Sequence, residues 1–355
     1  MAANSSSTQV IYAALIGNLL VAITKAGAAA WTGSSAMLSE AVHSFVDIGN
    51  QVLLLYGMRR AELRADPDHP IGYGRELYFW SFIVALLVFA LGAVVAVYHG
   101  TLNVMRPQPI RDVFVIYIVL ALAFVFEGAS WWVAFRHFRS VKGSLGYYAA
   151  FRRSKDPPSF VGLFEDSAAL IGIVIAAAGT FGATTLGMPV LDGVASILIG
   201  LVLAGTAALL ARESKSLLIG ERADRSLSDS LMRVAEAASP TSRANGMLTV
   251  QLAPDQILAA LSLEFDDSLR VPEVEAAVVE IERQIRAAHP EVVTLFIKPQ
   301  TSAEFKATLR RRFGSAPLEA PVRVASVTPQ STKPAPLAEP APTRPVHAWL
   351  DGENT

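Results

Sequence analysis

The sequence has no cysteine among its 355 residues, which excludes disulfide bridges, thiolate nucleophiles and cysteine-based zinc fingers together. Any bound metal must therefore be held by nitrogen and oxygen atoms. Charged residues are also scarce, at 17% of the chain against about 25% in an ordinary soluble domain. The formal net charge is −1, and no basic cluster could follow a phosphate backbone, so no nucleic-acid partner is expected.

Hydrophobic residues make up 52% of the chain, and many of them lie in long runs. A helix needs about 20 mostly apolar residues to cross a bilayer core. Six windows meet this requirement: Ile11–Trp31, Ser35–Gly57, Leu77–Tyr98, Val113–Phe135, Phe160–Phe181 and Leu191–Ala211. The third window has no charged residue, whereas each of the others contains at least one ionisable residue. The sequence therefore predicts an α-helical membrane protein with six transmembrane helices in a lipid bilayer.

The basic residues of the loops predict how these helices are oriented. Ten of them lie in the loops between windows two and three and between windows four and five, against two in the loop between windows three and four. The ten are Arg59, Arg60, Arg64, Arg75, Arg136, Arg139, Lys142, Arg152, Arg153 and Lys155, and the two are Arg106 and Arg111. Because basic loops stay in the cytoplasm, the N- and C-termini are both expected to be cytoplasmic.

The composition becomes that of a soluble protein after about Glu221. The hydrophobic pattern predicts helix, strand, strand, helix and strand, in the order Ser226–Ala238, Met247–Leu252, Ile257–Phe265, Val271–Ala288 and Val292–Lys298. This order favours a small cytoplasmic α+β domain. Eight of the 20 prolines follow Gln300, so a disordered Pro-rich tail is expected there. The predicted domains are a six-helix transmembrane domain (1–215), the α+β domain (216–300) and the tail (301–355).

Window two places its strongly polar side chains on one face of a helix. At about 100° per residue, His43 and Asp47 lie about 40° apart, and Glu40 and Asn50 fall within about 60° of His43. An ionised carboxylate in hydrocarbon costs several kcal/mol, so this face is expected to meet a partner, a cavity or an ion. Lys25 of window one lies at the depth of Glu40. This depth favours an ion pair for Lys25, with snorkelling as the alternative.

Window five brings a further carboxylate to the middle of the membrane. At about 1.5 Å per residue, Asp47 lies about 18 Å from the outer boundary of its helix, and Asp166 lies about 12 Å from the inner boundary. These depths coincide in a core of about 30 Å. Glu127 of window four comes to about 22 Å from the outer boundary, so it could join the group. Two carboxylates and the His43 imidazole would then meet where a divalent cation could balance their charge.

Glu127 and Glu165 have two interpretations each. Either residue could be a metal ligand or a proton relay. Either could equally be a protonated acid that forms a hydrogen bond between helices. A hydrogen bond between helices is also the expected role of Asn50.

Three segments carry most of these polar residues: SSAMLSEAVHSFVD and DPDHPIGYG between Gly33 and Gly74, and FEDSAALIG from Phe164 to Gly172. Together they resemble the cation diffusion facilitator family and are nearest its zinc transporter 9-like branch. That branch similarly has Ser-Glu before the His-Ser-x-x-Asp of span two and Glu-Asp-Ser/Thr-Ala-Ala in span five. The resemblance covers about residues 10–300. It implies six spans and an α-β-β-α-β domain, efflux of Zn²⁺ or a similar ion in exchange for protons, and a homodimer.

The resemblance also implies a transport site made of a His/Asp-x-x-x-Asp pair in span two and a His-x-x-x-Asp pair in span five. The matching residues are His43, Asp47 and Asp166. The position four before Asp166 is Gly162, which cannot ligate a metal. Glu165 is the first substitute for the missing ligand, water is the second and Glu127 is the third. A site richer in oxygen weakens the preference for zinc over manganese, iron or cobalt.

Two further metal sites of the family are expected to be weak or absent. One lies in the loop after span two and uses an Asp and two His; Asp66 and His69 occupy two places, but Tyr73 stands at the third. The other lies in the cytoplasmic domain and needs several His and acidic residues, whereas His289 is the only histidine there. Dimerisation, rather than metal sensing, is therefore the expected role of that domain.

The sequence thus favours a divalent cation transporter, not an enzyme, that needs no resident cofactor. Zn²⁺ is the first choice of cargo, ahead of Mn²⁺, Fe²⁺ and Co²⁺. Alternating access would expose the mid-membrane site first to the cytoplasm and then outward. Metal ligands must be deprotonated, and an unperturbed imidazole titrates near physiological pH, so His43 is expected to be the ligand that exchanges metal for protons.

Two rival functions remain beside transport. An intramembrane hydrolase would need His-Glu-x-x-His, Gly-x-Gly-Asp, or Gly-x-Ser-Gly with a distant His, and the sequence has none of these. A transport-inactive relative that binds metal or partners for regulation is favoured by Gly162 and Tyr73. The alanine-rich composition, and the lack of Lys or Arg before the first window, favour a bacterial plasma membrane as the location.

Overall fold

A computed structural model describes residues 3–143, 146–147, 150–151, 154–238 and 241–314. Within these residues the chain forms six long helical spans and then a small α+β domain. The spans are α1 (Ala3–Thr32), α2 (Ser35–Ala61), α3 with a π-helical segment and α4 (Glu76–Leu87, Val88–Ala93 and Val94–Met105), α5 (Val113–Val141), α6 (Pro157–Thr185) and α7 (Val190–Ile219). Each predicted window lies inside one of these spans.

Five of the spans contain segments long and apolar enough to cross a membrane: Leu15–Thr32, Glu76–Met105, Val113–Ser140, Phe160–Thr185 and Val190–Ile219. The remaining span, α2, has 27 residues, which give a length of about 40 Å at about 1.5 Å per residue. Its polar residues make it the least apolar of the six, as the polar face predicts. The chain is an integral membrane protein, and the expected six-span architecture agrees with this structure.

Local sequence signals determine where the spans begin. Ser34 is the N-cap of α2, and its hydroxyl accepts a hydrogen bond from the backbone N–H of Met37 at 3.1 Å. Gly33 has a φ of +73°, a left-handed conformation that lets the chain turn sharply between α1 and α2. Pro157 begins α6, where its missing N–H leaves no helical hydrogen bond unmade.

Small residues allow the spans to pack closely. Gly100 of α4 lies against Gly193 of α7: a Cβ at position 100 would lie 2.7 Å from the carbonyl oxygen of Gly193 and 2.8 Å from the backbone nitrogen of Ile197. Such close approach is a main source of helix association in lipid, because the burial of apolar surface gives no driving force for association there. Large side chains such as Phe114 and Val125, 75% and 71% exposed, lie on the outer surface of the bundle, as expected for contact with lipid.

The C-terminal part has the predicted order of elements. It contains α8 (Arg225–Ala237), β1 (Thr241–Ala253), β2 (Gln256–Phe265), α9 (Val271–Ala288) and β3 (Val292–Pro299). β1 pairs with β2 in antiparallel orientation and β2 pairs with β3 in parallel orientation, so the sheet order is β1-β2-β3. Leu231 of α8, Leu261 of β2 and Ile281 of α9 are buried together in one apolar core between the helices and the sheet.

The prediction of a disordered tail from residue 301 is wrong for its first part. Ser302–Phe313 forms a further helix, α10. The Thr301 hydroxyl accepts a hydrogen bond from the backbone N–H of Glu304 at 3.4 Å, and the Phe305 ring packs against Gly246 of β1. A cap and an aromatic contact thus stabilise a helix that the proline content of the tail concealed. The rest of the expected tail, residues 315–355, lies outside the described residues.

The two Arg-rich loops lie on the side of the bundle where the α+β domain lies. Lys155, just before α6, forms an ion pair with Glu221 at 3.0 Å, and its backbone carbonyl accepts a hydrogen bond from the Tyr78 hydroxyl. Gly74, at the end of the other loop, packs against Ala253 and Gln256. We call this side of the bundle the domain side and the opposite side the far side. The charge count predicts that both Arg-rich loops lie on the same side of the membrane, and in the structure both lie on the domain side.

We expect Gly100→Val to lower the melting temperature of the purified protein in detergent. The added side chain would meet backbone atoms of α7, which cannot rotate away, and overpacking of this kind costs about 1–3 kcal/mol. Gly27→Val is the matched control, because a Cβ at position 27 would have no atom of the described residues within 4 Å. Equal melting temperatures for the two variants would contradict a stabilising role for the Gly100 contact.

Candidate metal centre among the membrane helices

His43 and Asp47 form the centre of the polar face of α2. Nδ1 of His43 lies 3.3 Å from Oδ1 of Asp47, and the two side chains are 1% and 14% exposed. Both ring nitrogens of His43 and Oδ1 of Asp47 are buried, and apart from the contact between Nδ1 and Oδ1 none of them makes a hydrogen bond of good geometry with the described residues. Each buried polar atom without a partner costs about 1–3 kcal/mol. A cation bound to these atoms would therefore stabilise the pair.

Asp47 borders a cavity of about 740 Å³ between α1, α2, α5 and α6. Three further carboxyl groups line the same cavity: Glu127, Glu165 and Asp166. From these acids the cavity extends toward the domain side, where its lining includes Met58, His137 and Gly162. The structure thus places the acids that the sequence assigns to one depth around one cavity.

Two of these acids have hydrogen-bond partners on neighbouring helices. Nδ2 of Asn50 donates to Oε1 of Glu165 at 2.7 Å, and the Ser130 hydroxyl donates to Oδ2 of Asp166 at 2.9 Å. The sequence predicts a hydrogen bond between helices for Asn50 and allows one for Glu165. The contact between Asn50 and Glu165 is a bond of this kind. Ser130 is a partner that the sequence did not indicate. It engages one oxygen of Asp166, which leaves Oδ1 for another ligand.

Lys25 balances part of the negative charge beside the cavity. Its ammonium lies 3.3 Å from Oε2 of Glu40 and 3.6 Å from Oε1 of Glu127, and it donates to the Ser44 hydroxyl at 2.9 Å. Lys25 and Glu40 are both fully buried, so the predicted ion pair is confirmed and Lys25 does not snorkel. A fixed ammonium this close competes with a metal for Glu127, which makes Glu127 the weakest of the candidate ligands.

In this conformation the candidate ligands do not yet form a complete site. No three His, Asp or Glu side chains of the described ranges stand close enough together to hold one ion. His43 and Asp47 are adjacent, whereas Glu165 is held by Asn50 of α2 and Asp166 by Ser130 of α5. A metal shared by α2 and α6 would require these side chains to move toward each other across the cavity. The role of the five residues as ligands therefore stays a prediction.

A buried carboxylate on the far side was missed by sequence reasoning. Asp192, at the start of α7, accepts hydrogen bonds from the Ser34 hydroxyl at 2.5 Å, the Ser35 backbone N–H at 2.6 Å and Nδ2 of Asn103 at 3.0 Å. It is fully buried and lies at the N-terminus of α2, where the helix dipole favours an anion. This network joins α2, α4 and α7 on the far side. In the sequence, the signal for this site was Asp192 itself, one acidic residue at the outer edge of the sixth window.

In the loop after α2, the carboxylate of Asp66 accepts hydrogen bonds from other residues of the same loop. Oδ1 of Asp66 accepts a hydrogen bond from the backbone N–H of His69 at 2.7 Å, and Oδ2 accepts one from the Tyr73 hydroxyl at 2.6 Å. The hydrogen bond from Tyr73 is the main reason that the pKa of Asp66 lies below its ordinary value. The His69 and Tyr73 rings lie against each other, with their centroids 4.2 Å apart. Tyr73 thus supplies a hydrogen bond at the position where the resemblance implies a metal-binding histidine.

His289 has a partner on each ring nitrogen. Its Nε2 lies 3.0 Å from the Ser230 hydroxyl oxygen, and its Nδ1 lies 3.2 Å from Oε1 of Glu291. The residue therefore connects α8 to the segment before β3. This use of the imidazole is structural, and the absence of metal sensing by the domain stays a prediction.

The chain is similar to known transport proteins over its membrane part. Residues 11–219 match the family model described as the cation efflux transmembrane domain. This match includes the six spans and more than half of the chain. The residues around the cavity therefore lie entirely inside the matched region.

Curated relatives match more than half of the chain. The chain is 38% identical over 194 residues to the mitochondrial proton-coupled zinc antiporter SLC30A9 of Xenopus laevis and 37% identical to the human protein of that name. Each match covers 54% of this chain and 34% of the relative. Metal tolerance protein C4 of Arabidopsis thaliana is 34% identical over 223 residues, which cover 61% of this chain and 48% of the relative. The chain thus spans between a third and a half of the length of these relatives.

We expect Tyr73→His to add one Zn²⁺ site to the loop after α2. The new imidazole would stand beside Asp66 and the ring of His69, which together would provide two nitrogen ligands and one carboxylate. Isothermal titration of the protein in detergent would then show one more bound Zn²⁺ than in the wild type. Tyr73→Phe is the control, because it removes the hydroxyl without adding a nitrogen. An unchanged stoichiometry in Tyr73→His would contradict the expectation.

Proposed function

Because the chain belongs to the cation efflux family, the cation diffusion facilitators, we propose that it exports a divalent metal cation, Zn²⁺ first, in exchange for protons. One observation carries this proposal: the His43–Asp47 pair has buried, unpartnered polar atoms, and Asp47 borders a cavity lined by three more acids. This is a transport activity and not an enzymatic one. Its partners are the lipid bilayer, the metal ion and protons.

The donor atoms suit a borderline divalent cation. His43 offers an imidazole nitrogen, and Asp47 and Asp166 offer carboxylate oxygens, which together are ligands that Zn²⁺ accepts with a water in the fourth position. Glu165 is the next ligand, although it would first have to leave Asn50. The zinc antiporters among the relatives support Zn²⁺ as the cargo. The share of oxygen in this set extends the expected cargo to Mn²⁺, Fe²⁺ and Co²⁺.

Charge balance connects the metal to the protons. Lys25 partly offsets Glu40 and Glu127, so Asp47 and Asp166 are left to be neutralised in another way. Carboxylates among membrane helices are expensive as free anions, and either a metal ion or protons can neutralise them. Metal ligands must be deprotonated, so protonation favours metal release. A proton gradient directed into the cytoplasm would then drive the metal outward.

We infer that the conformation described here gives access from the domain side. The cavity reaches that side, whereas on the far side Asp192 joins α2 to α7 and the Ser39 and Ser196 hydroxyls lie 2.7 Å apart. We infer that release to the far side requires these contacts between α2 and α7 to separate. The domain-side end of the cavity would close at the same time, which is alternating access.

Assembly and location complete the proposal. The α+β domain (216–300) is proposed to hold two copies of the chain together, supported by the large apolar side chains of Val279 and Phe296, 66% and 59% exposed. Both termini are proposed to be cytoplasmic, because the Arg-rich loops lie on the domain side. The bacterial plasma membrane remains our prediction for the location. Two of the relatives are mitochondrial by name.

We expect Asp47→Asn and Asp166→Asn each to abolish Zn²⁺ uptake by proteoliposomes, because each removes a carboxylate that the ion needs. The measurement is the initial rate of uptake followed with a zinc-sensitive dye inside the vesicles. Asp68→Asn is the matched control, since Asp68 is an exposed acid of the loop after α2, and its flux should equal that of the wild type. Undiminished flux in both membrane variants would reject the site. Zinc binding without flux in the wild type would support the regulatory relative instead.

We also expect inward Zn²⁺ flux to raise the pH inside the same vesicles, because the exchanged protons leave as the metal enters. Pyranine trapped in the vesicle lumen reports this change. Asp47→Asn vesicles are the control for passive leak. Zinc uptake with an unchanged internal pH, measured with the membrane potential clamped by potassium and valinomycin, would rule out proton exchange.

A further inference from the structure

A histidine outside the predicted site lines the same cavity as the acids. His137 lies on α5, exposed toward the domain-side part of the cavity. It follows Ser130, the hydrogen-bond partner of Asp166, by seven residues, which is about 10 Å along the helix axis. His137 therefore lies between the domain-side end of the cavity and Asp166.

The wall of the cavity formed by α6 has room for an imidazole. Gly162 of α6 lines the cavity, and a Cβ at position 162 would have no atom of the described residues within 4 Å. Gly162 precedes Asp166 by one turn, about 6 Å toward the domain side. The missing side chain in span five thus leaves open space next to Asp166 on the path that an ion from the domain side must take.

The direction of α5 aims the His137 side chain toward this space. Side chains of a helix lean toward its N-terminus, and α5 runs from the far side to the domain side. The imidazole of His137 therefore leans from its own level back toward Ser130 and the level of Gly162. Its ring makes no hydrogen bond with a side chain in the described part of the chain.

We propose, on the basis of the transport function above, that His137 is a further metal ligand, which captures the incoming ion on the domain side and passes it to Asp166. A neutral imidazole binds Zn²⁺ better than the harder Mn²⁺. His137 would thus supply, from α5, a nitrogen ligand on the path to Asp166, where α6 has only Gly162. It would also raise the selectivity of an otherwise oxygen-rich path for zinc over manganese.

The test is Zn²⁺ and Mn²⁺ uptake by proteoliposomes that contain His137→Gln. We expect the KM for Zn²⁺ to rise about tenfold, the loss of one moderate ligand, while the maximal rate and the KM for Mn²⁺ change little. His99→Gln is the matched control, because His99 lines the separate cavity on the far side and should leave both KM values unchanged. In the double variant His137→Gln with Gly162→His, the new imidazole on α6 should restore the low KM for Zn²⁺.

A second measurement uses the wild-type protein and does not depend on transport. Zn²⁺ should protect His137 of the wild-type protein from carbethoxylation by diethyl pyrocarbonate, detected by mass spectrometry, while His99, which lines the separate cavity on the far side, continues to react. An unchanged KM for Zn²⁺ in His137→Gln, or full reaction of His137 at saturating Zn²⁺, would overturn the proposal. A wild type that protects His137 but carries no zinc flux would retain His137 as a ligand and reject the transport function.

Discussion

Carboxyl groups buried among apolar helices have to be neutralised, and most features of this bundle follow from that requirement. Around the cavity, one ammonium group, that of Lys25, stands beside two acids, Glu40 and Glu127, at 3.3 and 3.6 Å. It does not contact the other three acids that line or border the cavity. A charge in hydrocarbon that has no partner costs several kcal/mol. The charge of these three acids must therefore be neutralised by a ligand that enters the cavity. A divalent cation and protons can each do this, one after the other.

The same requirement explains why the two ends of the bundle differ. On the far side, the single carboxylate of Asp192 receives three hydrogen bonds and lies at a helix N-terminus, so its charge is satisfied in this conformation. In the middle of the bundle, His43 and Asp47 have polar atoms that the described residues leave without partners. A fully satisfied carboxylate holds helices together, whereas an unsatisfied one can exchange ligands. The first arrangement suits a closed end and the second suits a transport site.

Much of this could be predicted from the sequence, because helical periodicity and hydrophobic length determine which residues share a face and a depth. They placed Asp47, Glu127 and Asp166 at one level, and the three line one cavity. Hydrogen bonds between helices depend on how each helix is rotated against its neighbour, which periodicity does not determine. Ser130, the partner of Asp166, was missed for this reason. The helix Ser302–Phe313 was missed because the proline content of the tail outweighed the capping signal at Thr301.

The most direct measurement is anomalous diffraction at the zinc absorption edge from crystals of the protein grown with Zn²⁺. We expect a strong peak inside the bundle, within coordination distance of His43, Asp47 and Asp166, with the Asp166 carboxylate turned from Ser130 toward the metal. The peak should vanish in Asp47→Asn crystals. A map whose peaks lie only in the loop after α2 or in the α+β domain, with the mid-membrane acids unchanged, would show that these acids are not neutralised by a metal ion.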